Sequence, residues 1–447
     1  METEFTNDFV IDPGETLKGG AGNDVFQSYT TDRGDGFNGT PRSHGFKDQF
    51  DGGAGFDIVS YAGEDPFIYM GTLVTSSYWG GYGEEPEWIT EGVFTGAAYP
   101  LFQGVYVDLG AGHASGGDVL ISIEGAIGTA YDDTLIGSAS ANFLDGGEGN
   151  DSLSGGGGSD TLMGGGGEDL LNGGAGADTM IGGDGGDIYF VDAKADVVQE
   201  DAGGGYDTVY TTATFVATAG SEIEIVIADG SGAINLTGNG SGIELWGNGN
   251  INTLDDGGGA AAMQGHGGND VYVVHNAATQ VVELANDGYD AVKTDLAFYT
   301  LTDNVEVLTH MGAGAFHGVG NALANVITGG AGNDTLDGAG GNDFLTGGAG
   351  ADVFAFDNLK SGLDWITDFK PGEDHIGLDA AGFGLSSLAG VLLVDGDTAT
   401  AAGVATLHYY ANGAIAFDAN GGAATDAVRF AGLQGHPGLS MSDFVLV

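Results

Sequence analysis

The chain has 447 residues and carries 64 Asp and Glu against 9 Lys and Arg, a formal net charge of −55. Such acidity excludes nucleic acid as a partner, disfavours an anionic membrane surface, and opposes compaction unless cations enter the fold. There is no cysteine, which excludes a disulfide framework or a thiolate metal site, and the 89 glycines lack the three-residue period of collagen, so we expect them to serve turns.

Residues 1–127 are predicted to form a β-rich region with isolated repeats and an aromatic insert. The opening METEFTNDFVIDPGE has neither a basic nor an apolar segment, and no stretch of 18 apolar residues occurs elsewhere, so neither a cleaved signal nor a membrane span is expected. Two single nine-residue repeats, at Gly19 and Gly52, place Asp24 and Asp57 as candidate metal ligands. In the aromatic insert, residues 61–106, aromatic residues are interleaved with acidic ones, which favours a cap on the end of the repeat fold over a sugar-binding surface.

Five consecutive nine-residue repeats run from Gly146 to Phe190: GGEGNDSLS, GGGGSDTLM, GGGGEDLLN, GGAGADTMI and GGDGGDIYF. The period extends back to Gly128 and forward through VDAKADVVQ, and residues 128–210 are predicted to form the main roll. Each repeat has a glycine-rich turn that ends at the sixth position, then a short strand with an apolar eighth residue. The pattern predicts an all-β fold in which two repeats form one coil and the eighth-position residues point inward: Leu153, Leu162, Leu171, Met180 and Tyr189.

The sixth positions are predicted to form two edges, because turns two repeats apart stack on each other. One edge carries Asp133, Asp151, Asp169 and Asp187, and the other carries Asn142, Asp160, Asp178 and Asp196. Carboxylates stacked at strand spacing, roughly 4.7 to 4.9 Å, repel one another. Each edge therefore calls for a cation.

Residues 211–319 are predicted to be a degenerate solenoid region. The sixth positions of its decayed repeats are Ile243, Asn252, Ala261 and Asp270, and two of these four have no side-chain oxygen, so we expect coils with little metal. A longer duplication matches the segment from Asp187 to the segment from Asp270. A second roll is predicted at 320–355, with sixth positions Asn325, Asp334, Asp343 and Asp352.

The repeats resemble those of the RTX (repeats-in-toxin, hemolysin-type) proteins, whose nonapeptide binds calcium. The resemblance implies a right-handed parallel β-roll, or β-solenoid, with Ca²⁺ between successive turns, held by the sixth-position residues of both turns and by turn carbonyls. It implies about six ions in the first block and about two in the second. The turn carbonyls would come from Gly147, Gly149, Gly156, Gly158, Gly165, Gly167, Gly174 and Gly176. The nine-residue phase argues against a disordered acidic linker.

Residues 356–447 are predicted to form a C-terminal β cap. The stretch DWITDFKPGEDHIGL resembles the segment after the calcium roll in serralysin-type secreted metalloproteases, and Asp443 to Val447 resemble the tail of type I secretion substrates. With the repeats, the tail favours export over an ordinary terminal strand, and thus a secreted, extracellular or surface-associated protein.

Enzyme motifs are missing from the sequence. The nine histidines include no H-E-x-x-H, and no serine lies in G-x-S-x-G; His310 and His317 are expected at the surface. We predict a non-enzymatic calcium-binding protein, folded by calcium, with a structural or adhesive role in a surface layer or matrix. Its expected partners are extracellular polysaccharide or further copies of itself, besides the secretion apparatus. The alternative is a secreted polysaccharide-active enzyme or carbohydrate-binding module, since carboxylate pairs abound.

Overall fold

The structure is a computed structural model. It describes residues 104–114, 119–200, 202–359, 362–422 and 426–447, together with the backbone of six strands between residues 16 and 94. Asp24, Asp57 and most of the aromatic insert lie outside these residues. The chain divides into two compact units, Met1–Tyr210 and Thr211–Val447. Among the described residues, no helix is long and apolar enough to cross a bilayer.

The repeated element is a coil with two short parallel strands, which confirms the predicted all-β solenoid. Strands pair with strands eighteen residues away, so Leu153 lies beside Leu171 and Leu162 beside Met180. Glycine-rich turns reverse the chain between strands, and the inward-facing residue of each short strand is apolar. The five predicted core residues, from Leu153 to Tyr189, are all buried, so the sequence phase defines the core.

Residues 16–211 form the first series of strands. These begin with β1 (Thr16–Lys18), β2 (Val25–Gln27), β3 (Gln49–Asp51), β4 (Ile58–Ser60), β5 (Leu73–Trp79), β6 (Trp88–Phe94) and β7 (Tyr106–Asp108). They continue with β8 (His113–Ala114), β9 (Val119–Ile121), β10 (Gly125–Ile127), β11 (Thr134–Ile136), β12 (Phe143–Glu148), β13 (Ser152–Ser154) and β14 (Gly157–Gly158). The last are β15 (Thr161–Gly166), β16 (Leu170–Asn172), β17 (Ala175–Gly176), β18 (Thr179–Asp184), β19 (Ile188–Val191), β20 (Val197–Gln199) and β21 (Thr208–Thr211).

Residues 215–356 continue with short strands of the same kind. They are β22 (Phe215–Val216), β23 (Ile225–Ala228), β24 (Leu236–Thr237), β25 (Ile243–Trp246), β26 (Thr253–Asp255), β27 (Ala261–Gln264), β28 (Val271–Val274) and β29 (Gln280–Val282). There follow β30 (Ala291–Thr294), β31 (Phe298–Thr300), β32 (Val307–His310), β33 (His317–Val319), β34 (Val326–Ala331), β35 (Thr335–Asp337), β36 (Phe344–Ala349) and β37 (Val353–Phe356).

The C-terminal strands change the pairing pattern. They are β38 (Asp364–Ile366), β39 (His375–Leu378), β40 (Leu392–Asp395), β41 (Thr406–Tyr409), β42 (Ala414–Asp418), β43 (Val428–Leu433) and β44 (Phe444–Leu446), which follows a 3₁₀ turn at Met441–Asp443. β41, β42 and β43 pair antiparallel, whereas β44 pairs parallel with β39. The terminal apolar residues thus complete a sheet.

The decayed repeats keep their coil shape, as predicted. β25 pairs with β27 in parallel register, with Ile243 opposite Ala261, and both side chains are buried where a regular repeat has its sixth-position acid. The prediction for His310 is wrong: its ring is buried, stacks on Phe316 and lies 3.0 Å from the Gly329 carbonyl oxygen. His317 is exposed, with its ring edge against Phe298.

Candidate metal centres

The sixth-position aspartates form hydrogen-bonded ladders along each edge of the roll. On one edge, the amide of Asp151 donates to Oδ1 of Asp169 at 2.7 Å, and the amide of Asp169 donates to Oδ1 of Asp187 at 2.8 Å. On the other edge, the amide of Asp160 donates to Oδ1 of Asp178 at 2.8 Å. One carboxylate oxygen of each aspartate therefore fixes the register of the preceding coil.

The second carboxylate oxygen of the same residues is buried and has no hydrogen-bond partner. A buried carboxylate oxygen without a partner is costly, and native structures rarely retain one unless a cation or water satisfies it. An oxygen-only array of this kind fits a hard cation such as Ca²⁺. The unpartnered oxygens in the first block are Oδ2 of Asp151, Asp160, Asp169, Asp178 and Asp187.

Burial also changes how these carboxyl groups titrate. It raises the pKa of Asp151 to about 7, helped by the charges of Asp133 and Asp169 and opposed by the amide of Asp133. Burial raises the pKa of Asp160 and of Asp187 to about 6 in each case, and a neighbouring aspartate adds to the shift. The negative form is thus disfavoured without a cation, and a divalent ion would reverse that preference.

The first glycine of each turn makes room for the sixth-position carboxylate. A Cβ at Gly164 would overlap Oδ2 of Asp169, although the backbone of Gly164 is in a region that any residue adopts. The equivalent position at Gly173 would bring a Cβ within 2.7 Å of Oδ2 of Asp178. Each turn therefore closes around its own unpartnered oxygen.

The glycine carbonyl oxygens that were predicted as calcium ligands lie on the stacked faces of the turns. The carbonyl oxygens of Gly147 and Gly149 face Gly165 and Gly167 so closely that a Cβ on either later glycine would overlap them. Carbonyl oxygens of one turn thus point toward the next turn on the same edge. Positive φ is found at Gly147, Gly149, Gly156, Gly158, Gly165, Gly167 and Gly174, but Gly176 is outside that group.

The second block repeats the arrangement and extends it. The amide of Asp334 donates to Oδ1 of Asp352 at 2.9 Å, and the amide of Asn325 donates to Oδ1 of Asp343 at 2.7 Å. Oδ2 of Asp334, Asp343 and Asp352 is buried without a partner. The next rungs are Asp364 and Asp374, which accept the amides of Asp343 and Asp352 at 3.0 and 3.1 Å.

Three ladders begin with an asparagine. Nδ2 of Asn142 donates to the Glu124 carbonyl at 2.8 Å, and Nδ2 of Asn325 donates to the Val305 carbonyl at 3.1 Å. Asn252 does the same toward Ile234 at 2.6 Å. A side-chain amide can donate a hydrogen bond to a backbone carbonyl of the neighbouring coil, whereas an ionised carboxylate can only accept one.

The end residues of the main ladders also differ from the interior ones. Both oxygens of Asp133 accept backbone amides, from Val105 and Thr129. Oδ1 of Asp196 accepts the Asp178 amide at 3.1 Å, and its Oδ2 accepts the Ala193 amide at 3.0 Å. The interior aspartates thus have the oxygens without partners, while both oxygens of Asp133 and of Asp196 are satisfied by the protein.

Sequence reasoning missed several acidic residues in the ladders. Asp207 accepts the Asp187 amide at 2.8 Å, and Asp290 accepts the Asp270 amide at 2.7 Å. Each follows its partner by twenty residues and so falls outside the nine-residue phase. The signal available was the longer duplication, in which Asp207 and Asp290 match, as do Glu200 and Glu283.

Comparison with known protein families agrees with this geometry. The family model of the RTX calcium-binding nonapeptide repeat matches four copies, at residues 14–29, 127–162, 154–189 and 319–354. The chain therefore contains RTX repeats, and such repeats bind Ca²⁺. No curated protein matches the chain.

Proposed function

We propose that this chain is an extracellular calcium-loaded repeat protein whose RTX blocks fold when they bind Ca²⁺, and that it serves a structural or adhesive role in a surface layer or matrix. The observation that carries the proposal is the row of buried Oδ2 atoms without partners along both edges of the roll. In this view, the interior aspartates from Asp151 to Asp187 share calcium ions with the turn carbonyls that face them.

Calcium suits this array better than magnesium does. Ca²⁺ accepts six to eight oxygens at about 2.3 to 2.6 Å in flexible geometry, whereas Mg²⁺ requires a tighter octahedron and retains water. Turns built from glycine carbonyls and paired aspartates supply the many oxygens that Ca²⁺ requires. In this proposal, the row of calcium ions stops at Asn142 and at Asn325, the first residues of their ladders. The side-chain amides of both residues already donate hydrogen bonds to backbone carbonyls.

The same features support folding outside the cell. Without metal, the glycine-rich turns lose much chain entropy on ordering, and the buried carboxylates have no compensation. Metal binding then contributes directly to the free energy of folding. Extracellular modules bind calcium with dissociation constants of about 10⁻⁴ to 10⁻³ M, so millimolar calcium would fill them and low intracellular calcium would not.

The structural role rests on what remains after metal is bound. With 64 acids in the chain, a few divalent ions leave a strongly negative and soluble surface, over which calcium can also bridge copies. A repeat array of this kind presents the same edge many times, which favours extended assembly or polyvalent binding.

Sedimentation velocity and a carbohydrate screen in calcium test this role. We expect calcium-dependent assembly, or saturable polysaccharide binding without turnover, both abolished by chelator. Turnover of a polysaccharide would instead establish an enzyme, and a monomer that binds no polysaccharide in calcium would contradict the structural and adhesive role.

A further inference from the structure

Two buried triads of carboxylates lie where a nonapeptide meets the longer segment that follows it, one in each compact unit. Carboxylate oxygens of the three residues lie within 4.8 Å of one another in each triad. The intervals are the same in both, thirteen residues from the aspartate to the glutamate and seven more to the second aspartate. The triads are Asp187, Glu200 and Asp207, and Asp270, Glu283 and Asp290.

A lengthened turn builds each triad. In a regular turn, Gly182 precedes the sixth-position Asp187 by five residues, and a Cβ at Gly182 would overlap Oδ2 of Asp187. In the next turn on that edge, Glu200 takes the first position directly after β20 and precedes Asp207 by seven residues. The two extra residues provide room for a side chain where the regular turn accepts only glycine.

The second copy follows the same construction. Glu283 directly follows β29 and precedes Asp290 by seven residues, whereas Gly265 precedes Asp270 by five. A Cβ at Gly265 would overlap Oδ2 of Asp270, as at Gly182. Two turns in the chain therefore share one departure from the nonapeptide, and in both it places a glutamate beside two aspartates of a ladder.

The glutamates are buried and have oxygens without partners. Glu200 and Glu283 are each 6% exposed. Neither Oε1 nor Oε2 of Glu200 has a hydrogen-bond partner, and Oε2 of Glu283 has none. Oδ2 of Asp187 and of Asp270, in the same triads, also has none. Several oxygens in each triad thus lack a donor although they are removed from water.

The charges around each glutamate are negative. Burial raises the pKa of Glu200 to about 8; the charges of Asp207 and Asp187 add to the effect, and the backbone amides of Gly183 and Gly182 oppose it. Burial raises the pKa of Glu283 to about 7; the Tyr272 hydroxyl opposes the shift by donating to Oε1, and the charges of Asp290 and Asp270 add to it. Three buried carboxylates whose oxygens lie within 4.8 Å of one another require protons or a cation.

We propose that the two triads are additional calcium sites of a three-carboxylate type, one at Asp187, Glu200 and Asp207 and one at Asp270, Glu283 and Asp290. Oxygens bound to one calcium ion lie at most about 4.6 to 5.2 Å apart, so oxygens that lie within 4.8 Å of one another are close enough to share one ion.

The extra carboxylate sets these sites apart from the nonapeptide gaps. Affinity for calcium rises with the number of charged ligands, so the triads are the tighter class of site and fill first. The second triad also lies in the degenerate region, 211–319, where the repeats alone predict little metal. The inference rests on calcium being the ion of the RTX repeats, as proposed above.

Calcium stoichiometry of the full chain tests the proposal directly. Glu200→Gln and Glu283→Gln keep side-chain volume and remove one charge, so each variant should bind one ion fewer than wild type, and the double variant two fewer. Glu148→Gln and Glu168→Gln are the controls, because these exposed glutamates lie outside the triads. Their stoichiometry should equal that of wild type.

The outcomes separate this inference from the proposed function. If both glutamine variants bind as much calcium as wild type while Asp169→Ala binds less, the triads are not metal sites and the nonapeptide sites stand. If wild type binds no calcium, the proposed function fails first. If the triad variants and Asp169→Ala all lose ions while the two control variants bind as wild type does, both are supported.

If a glutamine variant folds poorly, Tb³⁺ luminescence tests the second triad by another route. Tyr272 is buried, and its hydroxyl donates to Glu283, so excitation of Tyr272 should sensitise Tb³⁺ in that triad. Tyr272→Phe should lower the sensitised emission by several-fold at low Tb³⁺, where the tight sites fill first. Tyr410→Phe, a residue just after β41, is the control. Emission that Tyr272→Phe leaves unchanged would overturn the second site.

Discussion

Oδ1 of Asp169 accepts a hydrogen bond from the backbone amide of Asp151 at 2.7 Å, while Oδ2 of the same carboxylate is buried without a partner. One oxygen thus holds the coils in register, and the other is available to a cation. This division of roles within one side chain recurs at every interior rung of the ladder. It means that register and metal binding are separable by substitution.

Asp169→Asn and Asp169→Ala should therefore differ. Asparagine retains an acceptor for the Asp151 amide but loses the charge, so calcium binding should weaken at the two neighbouring gaps while the coil persists. Alanine loses both functions and should also fray the coil, with a stability loss of about 1 to 3 kcal/mol from the unpaired amide. Calorimetric calcium titration and circular dichroism measure the two effects.

The neighbouring exposed Glu168 provides the matched control for these variants. Glu168→Gln removes one charge from the same turn without touching the ladder and should titrate like wild type. Equal calcium titrations for wild type and Asp169→Ala would show that Asp169 is not a calcium ligand.

The first-position glycines should tolerate no side chain. Gly164→Ala places a methyl group against Oδ2 of Asp169, so it should displace the carboxylate and lower both calcium affinity and melting temperature. Gly249→Ala is the control, because a Cβ there meets nothing within 4 Å and its φ is not positive. We expect that change to be neutral or stabilising by under about 1 kcal/mol. Similar behaviour of the two variants would contradict the packing described.

The adjacent residues Leu170 and Leu171 test the inward and outward faces of a strand. Leu171 is fully buried, so Leu171→Ala should lower the free energy of unfolding in calcium by about 2 to 5 kcal/mol. Leu170 is 39% exposed, and Leu170→Ala should cost much less. Chemical denaturation in saturating calcium measures both. Equal losses would mean that the strand register is wrong.

Acid should stabilise the metal-free protein. Burial raises the pKa of Asp151 to about 7 and of Glu200 to about 8, far above the ordinary value of about 4 for these groups when unfolded. The folded state therefore binds more protons than the unfolded state between pH 4 and pH 8. This contribution to stability is complete near pH 4 and is lost as the pH rises through 7 to 8.

In chelator, the β signal should thus grow as the pH falls from about 8 to about 5, the range set by those pKa values. Calcium affinity should fall over the same range, because protons compete for the same oxygens. Circular dichroism at several pH values, with and without calcium, follows both trends. A metal-free protein that loses structure on mild acidification would contradict the assignment.

The fold was predictable because the sequence that forms it repeats with a fixed period. The nine-residue phase places Leu153 and Leu171 inside and stacks Asp151 on Asp169, and the structure has both. The buried ring of His310 was not predictable, since it depends on stacking against Phe316 in a coil with no clear repeat.

The triads were beyond phase-based prediction for a physical reason. Two inserted residues move Asp207 out of the nine-residue register, and only the longer turn lets Glu200 occupy a glycine position. The asparagines show a related limit. An asparagine at a sixth position suggests an oxygen ligand. At Asn142, however, the side-chain NH₂ group donates to the Glu124 carbonyl, and the sequence does not show that the neighbouring coil presents a carbonyl there.

Circular dichroism of the full chain in chelator tests the central claim, that calcium in the carboxylate ladders stabilises the fold, most directly. At neutral pH, we predict that the β signal collapses in chelator, that calcium restores it cooperatively, and that equimolar magnesium does not. The melting temperature should rise with calcium concentration, since the ion binds the folded state. A chelated protein that keeps its full β signal and its melting temperature would contradict the account.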